Sequence, residues 1–438
     1  MTLATTPYKG TRDFYPDDFR IRQYIFDTWV QTCQLYGYEQ YDASVIEPTE
    51  LYKAKTSEEI VNDQTYSFED RGGRSITLRP EMTPTVSRMI AAKRQELAYP
   101  VRWFSIPNVW RYERPQRGRL REHWQLNVDI FGIDTIDAEF EVIMLADAIM
   151  QSLHADRSMY AIKVNSRKLV NYILKEYLAL DAAEATTIIR LIDRKDKMQY
   201  DEFSALISAS INPSQREQAN TDEKLLEILN CKSLQELPPA VLQHSSVTQL
   251  QTLLKMLQEV GIQNTQFDVS LMRGFDYYTD IVFELFDTHP ENNRSLFGAG
   301  RYDGLVGKFG VEPVPTVGFG MGDVTIIDFL ETHALLPKLH THVQATVVLA
   351  EVNYAAAMPL IALLRKEGAN ISVDCSNRKL DKKLKSVAKN NVPYAIIIGP
   401  EELTEQRYAI KDLRRGVQEK HSAERVVATV MANRDAAM

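Results

Sequence analysis

RYERPQRGRLREHWQLNVDIFG, residues 111–132, is the stretch whose reading decides the fold. Arg111, Arg114, Arg117, Arg119 and Arg121 crowd its first half, and an alternating apolar/polar run carrying Gln125 and Asp129 follows. Pro115 and Gly118 mark a turn, so the pattern predicts a strand, a basic loop and a returning strand. Side chains alternate faces along a strand, which puts residues 125, 127 and 129 on one side. A charge run in a hairpin is ordinarily a solvated surface feature. Here that account leaves a carboxylate and an amide turned inward without a reason. The chemical reading has Arg111 end the first strand and reach into a cleft, with the loop arginines meeting phosphates and Gln125 and Asp129 pointing inward.

Outward from this hairpin, the chain of 438 residues is too long for one core and predicts two or three domains. Its composition, 44% hydrophobic and 25% charged, is that of a soluble globular protein. A net charge of −8 excludes non-specific coating of nucleic acid, whereas a local arginine cluster still permits an RNA partner. Cys33, Cys231 and Cys375 are far apart and show no metal-ligand or disulfide spacing, as expected in a reducing cytoplasm. MTLATTPYKG lacks the apolar core of a signal peptide, and no run approaches the roughly 18 apolar residues of a membrane span. The expected location is cytoplasmic.

Pro16 and Asp17 open an amphipathic helix with Ile21, Ile25, Trp29, Cys33 and Tyr36 on one face, and Gly37 stops it. Residues 38 to 48 then read as extended. From about 64 to 145, β-rich runs (TYSFED, SITLRP, RWFSIPNVWRYE, QLNVDIFG) alternate with turns and a short helix from Pro84, the pattern of an antiparallel sheet. From about 138 to 260 the chain reads as helical and polar, without a chemical motif. Strand signals return in FDVSLMRGFDYYTDIVFELF, GAGRYDGLVGKFG and PTVGFGMGDVTIIDFL. After the linker-like ETHALLPKLHTH, strands alternate with helices, which indicates a mostly parallel α/β domain. The expected architecture is therefore an α+β core on an antiparallel sheet (1–160 and 262–331), a helical insertion (161–261), a linker (332–342) and a C-terminal α/β domain (343–438).

The run Arg111 to Arg119 resembles motif 2 of the class II aminoacyl-tRNA synthetases, in the form seen in the histidyl-tRNA synthetase family. The resemblance spans nearly the whole chain through GTRDFYP (10–16), TLRPEMT (77–83), RGFDYY (273–278) and GAGRYDGL (298–305), with RGFDYY the most specific. It implies a class II catalytic fold with an anticodon-binding domain at the C-terminus. The implied activity is histidine–tRNA ligation, with ATP and Mg²⁺, L-histidine and tRNA(His) as its chemistry and a homodimer formed through the first helix and strand.

Activation of an amino acid attacks the α-phosphate of ATP with a carboxylate, so the site needs fixed cations more than a proton acceptor. Arg111 and Arg273 take that role by resemblance, as bidentate donors to carboxylate and phosphate. Surface ion pairs with Glu113 and Asp276 are the bland accounts of the same arginines. Asp129 and Tyr278 match the family's positions for the imidazole, which offers one donor and one acceptor when neutral. Glu81, Thr83 and Gln125 match those for the amino and carboxylate groups, with Met82 giving backbone. Tyr277 and Tyr278 suit plain sheet packing; their place beside Arg273 and Asp276 assigns them to the site. GAGRYDGL lacks a following GK[ST], so it is no phosphate loop; by resemblance it floors the histidine pocket, with Tyr302 near the ring, and a plain tight turn is the alternative.

ATP is expected at Arg111, Glu113, Arg119, Arg121 and His123. Two departures from the family pattern fall together: Thr325 stands where motif 3 ends in an arginine lying over adenine, and His123 replaces the phenylalanine of the other face. Similar paired changes occur in a branch of the family that includes plant-organelle enzymes. Arg119 or Arg121 is expected to supply the missing γ-phosphate contact. Arg114, Gln116 and Arg117 are expected to face the tRNA acceptor end, and Arg378, Lys379, Lys382, Lys383, Lys385 and Lys389 form a second basic patch that is otherwise a solvated helix face. The rival functions are a non-catalytic paralogue regulating an ATP phosphoribosyltransferase, and a synthetase for threonine, proline or glycine. The C-terminal domain, Arg111 and Arg273 oppose the first; RGFDYY with Gln125 and Asp129 opposes the second.

Overall fold

The computed structural model describes residues 3–53, 64–195, 198–271, 277–292 and 294–432. Two units emerge from its contacts: Met1–Phe14 with Arg22–Leu336, and Tyr15–Ile21 with Pro337–Met438.

Among the described residues, twelve strands build the sheets of the first unit: β1 (Glu39–Gln40), β2 (Ile46–Pro48), β3 (Tyr66–Glu69), β4 (Ser75–Leu78), β5 (Val101–Ser105), β6 (Asn108–Trp110), β7 (Glu122–Phe131), β8 (Tyr160–Ser166), β9 (Thr265–Phe267), β10 (Ile281–Asp287), β11 (Ser295–Arg301) and β12 (Thr316–Gly322). The large sheet runs β1-β5-β7-β12-β11-β10-β8-β9, with β6 also on β7, and β2-β4-β3 forms a small sheet of its own. Pairing is antiparallel through the middle and parallel at the two edges, β1 with β5 and β8 with β9. Pro107 interrupts the chain between β5 and β6, so both short strands lie along one long strand, β7. The predicted hairpin is therefore β6, loop and β7.

Alternation along β7 sets the two faces of the sheet. Leu126, Val128 and Ile130 are buried on one side, where the helices Asp137–Ser152 and Asp323–Thr332 contact β7. Gln125, Asn127 and Asp129 face the other way, into a cavity. The helix Pro16–Leu35 buries Ile25, Trp29, Thr32 and Cys33, and Gly37 ends it with φ +77°, a left-handed conformation that suits glycine.

One sequence expectation is overturned here. The passage from about 138 to 260 reads as helical, yet residues 160–166 are β8, inserted between β10 and β9. The boundary expected at residue 161 cuts through this strand, and the helical array begins only at Arg167. The pairing that makes it a strand is with Ile281–Asp287, more than a hundred residues away, and no local signal carries that information.

In the second unit β13 (Ala345–Leu349), β14 (Ile371–Asp374), β15 (Tyr394–Ile398), β16 (Tyr408–Asp412) and β17 (Val417–His421) form a sheet ordered β14-β13-β15-β16-β17. The first three are parallel and the last two antiparallel. Leu360, Ile361 and Leu364 of the helix Tyr354–Lys366 pack with Val347, Ile396 and Val426 in its core. Among the described residues, no helix is long and apolar enough to cross a membrane.

Candidate active site

A cavity of about 210 Å³ opens over the centre of the large sheet, lined by Gln125, Asn127 and Asp129 of β7 together with Glu81, Thr83, Arg111, Tyr277, Tyr278, Glu284 and Tyr302. Its floor is made by register. On β12, Gly318 lies opposite Asp129 and Gly320 opposite Asn127. A Cβ on Gly318 would sit 2.1 Å from Asp129 Oδ1, and one on Gly320 2.1 Å from Gln125 Nε2. The glycines leave the space in which the two polar side chains lie. Gly300 of β11 does the same for Tyr278, whose ring carbon is 2.8 Å from the would-be Cβ. None of these glycine roles was read from the sequence; only strand pairing shows them. Gly318→Ala is expected to displace Asp129 and weaken binding of a small polar ligand in this cavity about 10- to 100-fold, measured by calorimetric titration of both proteins.

Asp129 is 2% exposed. Tyr302 donates its hydroxyl hydrogen bond to Asp129 Oδ1, while Oδ2 is buried with no hydrogen-bond partner among the described residues. Burial pushes the Asp129 carboxyl up to about 7, and the Tyr302 bond only partly opposes it. Asp129 thus lines the cavity with one of its two carboxylate oxygens buried and unpaired among the described residues. Tyr277 donates to Glu81 Oε2 at 3.1 Å, and its ring lies 5.1 Å from Tyr278 and 5.5 Å from Tyr302. Gln125 Nε2 donates to Asn127 Oδ1 at 3.1 Å. Arg111 is aimed from the end of the hairpin: its Nε donates to the Pro80 carbonyl at 2.9 Å and its backbone N–H to the Arg121 carbonyl. Met82 is fully buried beside the cavity rather than lining it.

The loop residues sort differently. Arg121 donates to Tyr8 Oη at 2.9 Å and to the Glu113 carbonyl, with its guanidinium 4.1 Å over the Tyr112 ring. Arg119 stays exposed, 3.9 Å from Glu113 Oε2. Burial, together with the positive charges of Arg111 and Arg12, pushes the His123 imidazole down to about 3, so it is neutral. Thr325 turns its hydroxyl to the carbonyls of Leu296 and Gly322. Arg114 and Gln116 are exposed, and Arg117 leans toward Asp328 and Thr332. Arg273 and Asp276 lie outside the described residues.

In the second unit Lys379, Lys382, Lys385 and Lys389 are exposed, and Arg378 pairs with Asp374 at 2.8 Å. Lys383 corrects the sequence expectation of one basic face. It is 4% exposed and donates to the Leu349 carbonyl at 2.6 Å. Its position in the helix Leu380–Lys389 faces the sheet, as does Val387 four residues on. Among the described residues no three His, Cys, Asp or Glu side chains converge to hold a metal.

Comparison with known proteins gives this architecture a family. Residues 10–324 match the family model "Histidyl-tRNA synthetase", and residues 343–433 match "Anticodon binding domain". The chain is similar to a histidine–tRNA ligase of Leptospira biflexa serovar Patoc, 40% identical with 94% of each chain covered. It is also similar to the chloroplastic/mitochondrial histidine–tRNA ligase of Arabidopsis thaliana, 35% identical over 95% of this chain and 85% of that one. Its fold is that of a histidyl-tRNA synthetase structure from Nostoc sp. PCC 7120, with a TM-score of 0.80, 21% identity, and 99% and 100% of the two chains covered.

Proposed function

The chain belongs to the histidyl-tRNA synthetase family, and from that premise we propose how its cavity selects and activates histidine. It is a histidine–tRNA ligase: L-histidine and ATP give histidyl-adenylate and pyrophosphate, and the histidyl group then passes to tRNA(His). The observation that carries the assignment of the cavity is the open, buried Oδ2 of Asp129. An imidazole N–H placed there donates to a carboxylate whose other oxygen Tyr302 already holds. A substrate without that N–H leaves the acceptor buried and unpaired, which discriminates by orders of magnitude.

Glu81, Thr83 and Gln125 receive the α-ammonium and α-carboxylate groups, with the Met82 backbone behind them and Tyr277 and Tyr278 closing the side. Arg111 lies between the substrate carboxylate and the α-phosphate. One carboxylate oxygen attacks the α-phosphorus, the bond from that phosphorus to the α,β-bridging oxygen breaks, and pyrophosphate leaves with its electron pair. No proton moves in this step, so positioning and charge stabilisation supply the catalysis. Arg273 is assigned the second cation at the α-phosphate. Glu113, Arg119, Arg121 and the neutral His123 belong to the ATP side, where His123 offers an uncharged ring to the base.

Mg²⁺ would accompany the ATP phosphates and supply charge neutralisation there. Arg114, Gln116 and Arg117 face the acceptor end of the tRNA, and Arg378 with Lys382 contacts it from the C-terminal domain. A homodimer through the first helix and a cytoplasmic location complete the proposal; the RNA substrate and the scattered cysteines support the latter. The regulatory-paralogue reading loses its ground to the family match along both domains.

ATP–pyrophosphate exchange with each of the twenty amino acids tests the function. Exchange with histidine alone is expected; exchange with none, from folded protein, would return the paralogue. Arg121→Ala is expected to raise the ATP KM about 10-fold, because it opens the Tyr8 and Tyr112 contacts that hold the base of the loop. The same assay with ATP varied checks it.

A further inference from the structure

We propose that Arg12, oriented by Asp323, is a cation of the nucleotide site and binds the polyphosphate of ATP. The inference rests on the ATP-dependent reading above and extends it to Arg12 of GTRDFYP, a residue given no role so far.

Arg12 reaches the site because the N-terminal segment lies under the basic loop. The backbone N–H groups of Arg121 and Glu122 both donate to the Gly10 carbonyl, at 2.8 and 3.4 Å. Gly10 has φ +87°, and a Cβ there would meet Arg121 Cγ at 2.7 Å, so the segment passes as close to the loop as glycine allows. Two residues on, Arg12 Nη2 donates to Asp323 Oδ2 at 2.7 Å. Asp323 is fully buried at the start of the helix Asp323–Thr332, and its Oδ1 accepts the backbone N–H of Trp124 at 3.0 Å. One carboxylate thus ties Arg12 to the strand that carries His123 and to the helix that carries Thr325.

That anchoring leaves the guanidinium partly uncommitted. Asp323 accepts from Nη2; Nε is buried with no hydrogen-bond partner among the described residues, and the side chain remains 23% exposed. Its charge and that of Arg111 both bear on the imidazole of His123. Arg12 and Arg111 thus both lower the His123 pKa, and among the described residues the ion pair of Arg12 is with its anchor Asp323. Arg22, stacked 4.4 Å over Trp124, adds a further positive charge to this wall, so Asp323 does not cancel it. A triphosphate is the substrate that needs such a surplus, and an arginine held by a buried carboxylate is preorganised for it. The other basic side chains are less well placed: Arg121 is taken up by Tyr8 and Tyr112, and Arg119 is 57% exposed on the loop. Thr325 offers no charge.

The experiment uses the full chain. Histidine-dependent pyrophosphate exchange by the unaltered protein is measured first; its absence would overturn the ATP reading itself. Given that activity, Arg12→Gln is expected to raise the ATP KM about 10- to 100-fold, the loss of one charge-assisted contact, with the histidine KM within about twofold. Inhibition by adenosine is expected to be unchanged, because the contact is to phosphate. Thr325→Arg added to Arg12→Gln is expected to recover most of the ATP affinity by placing a guanidinium at the neighbouring position. An unchanged ATP KM overturns the proposal. So does a rise in the histidine and ATP KM values together with a lower melting temperature, the signature of a purely structural tie. Should Arg12→Gln not fold, Arg12→Met removes the same charge and is read by the same criteria.

Discussion

Asp129→Asn is expected to stop histidine activation and, in the same molecule, to make the unliganded protein more stable at pH 8. Both effects come from one carboxylate. Burial lifts its pKa from the ordinary 3.8 to about 7. The folded state then binds the Asp129 proton more tightly than the unfolded state does, so this group's contribution to stability is full at low pH and is lost as pH rises to 7. Three units at about 1.4 kcal/mol each put the cost of the ionised form at several kcal/mol, on the order of 4. Asparagine has nearly the same shape, accepts the Tyr302 hydrogen bond and carries no charge. Wild type is therefore expected to lose stability relative to the variant between pH 4 and 7. Urea midpoints of the two proteins across that range measure the difference directly.

Activity moves the other way. The amide puts a donor or an unchanged neutral acceptor where an imidazole N–H needs an anion, and histidine kcat/KM is expected to fall about 10³-fold or more. ATP affinity is expected to stay, since the proposed reading puts Asp129 with the imidazole of histidine. A variant less stable at pH 8 than wild type, or one that retains histidine activation, would refute the assignment of the open oxygen to the imidazole.

The largest expected effect on stability belongs to Arg301, within GAGRYDGL, the stretch that by resemblance floors the pocket. Arg301 Nε and Nη2 grip Glu139 Oε1 and Oε2 at 2.6 and 2.7 Å, with both side chains almost wholly buried. It also donates to the carbonyls of Ile133 and Thr135 and to Asp303 Oδ1. The pair fastens β11 to the helix Asp137–Ser152 directly behind Tyr302. Arg301→Met leaves Glu139 buried without its partner, and a loss of about 3–5 kcal/mol is expected. Burial already raises the Glu139 pKa against the pull of Arg301. Without that pull, the carboxyl protonates more readily, so the loss is smaller near pH 5 than near pH 8. Combining Arg301→Met with Glu139→Leu is expected to recover most of the loss, because no buried charge remains. Denaturant unfolding at the two pH values checks each step, and an equal loss in the single and double variants would refute the account.

Much of the architecture is written locally. Period-two alternation after a Pro/Gly-marked basic run identified the hairpin and put residues 125, 127 and 129 on one face, where the cavity has them. Apolar spacing and a terminal glycine marked the helix Pro16–Leu35, and alternating strands and helices marked the C-terminal unit. These features depend on backbone geometry within a few residues, which composition and spacing carry.

Other features exist only between distant segments. β8 is a strand because β10 and β9 hold it. Gly318 and Gly320 matter because register sets them against the side chains of β7. Lys383 turns inward because a sheet carbonyl waits there. Arg12 and Asp323 stand 311 positions apart and meet through one carboxylate. By itself the sequence determined most of the elements, β8 excepted, and the face of β7 on which Gln125, Asn127 and Asp129 lie. Tertiary structure alone decided which of them meet and which acceptor was left open, because packing chooses partners across the whole chain while periodicity reports only on neighbours.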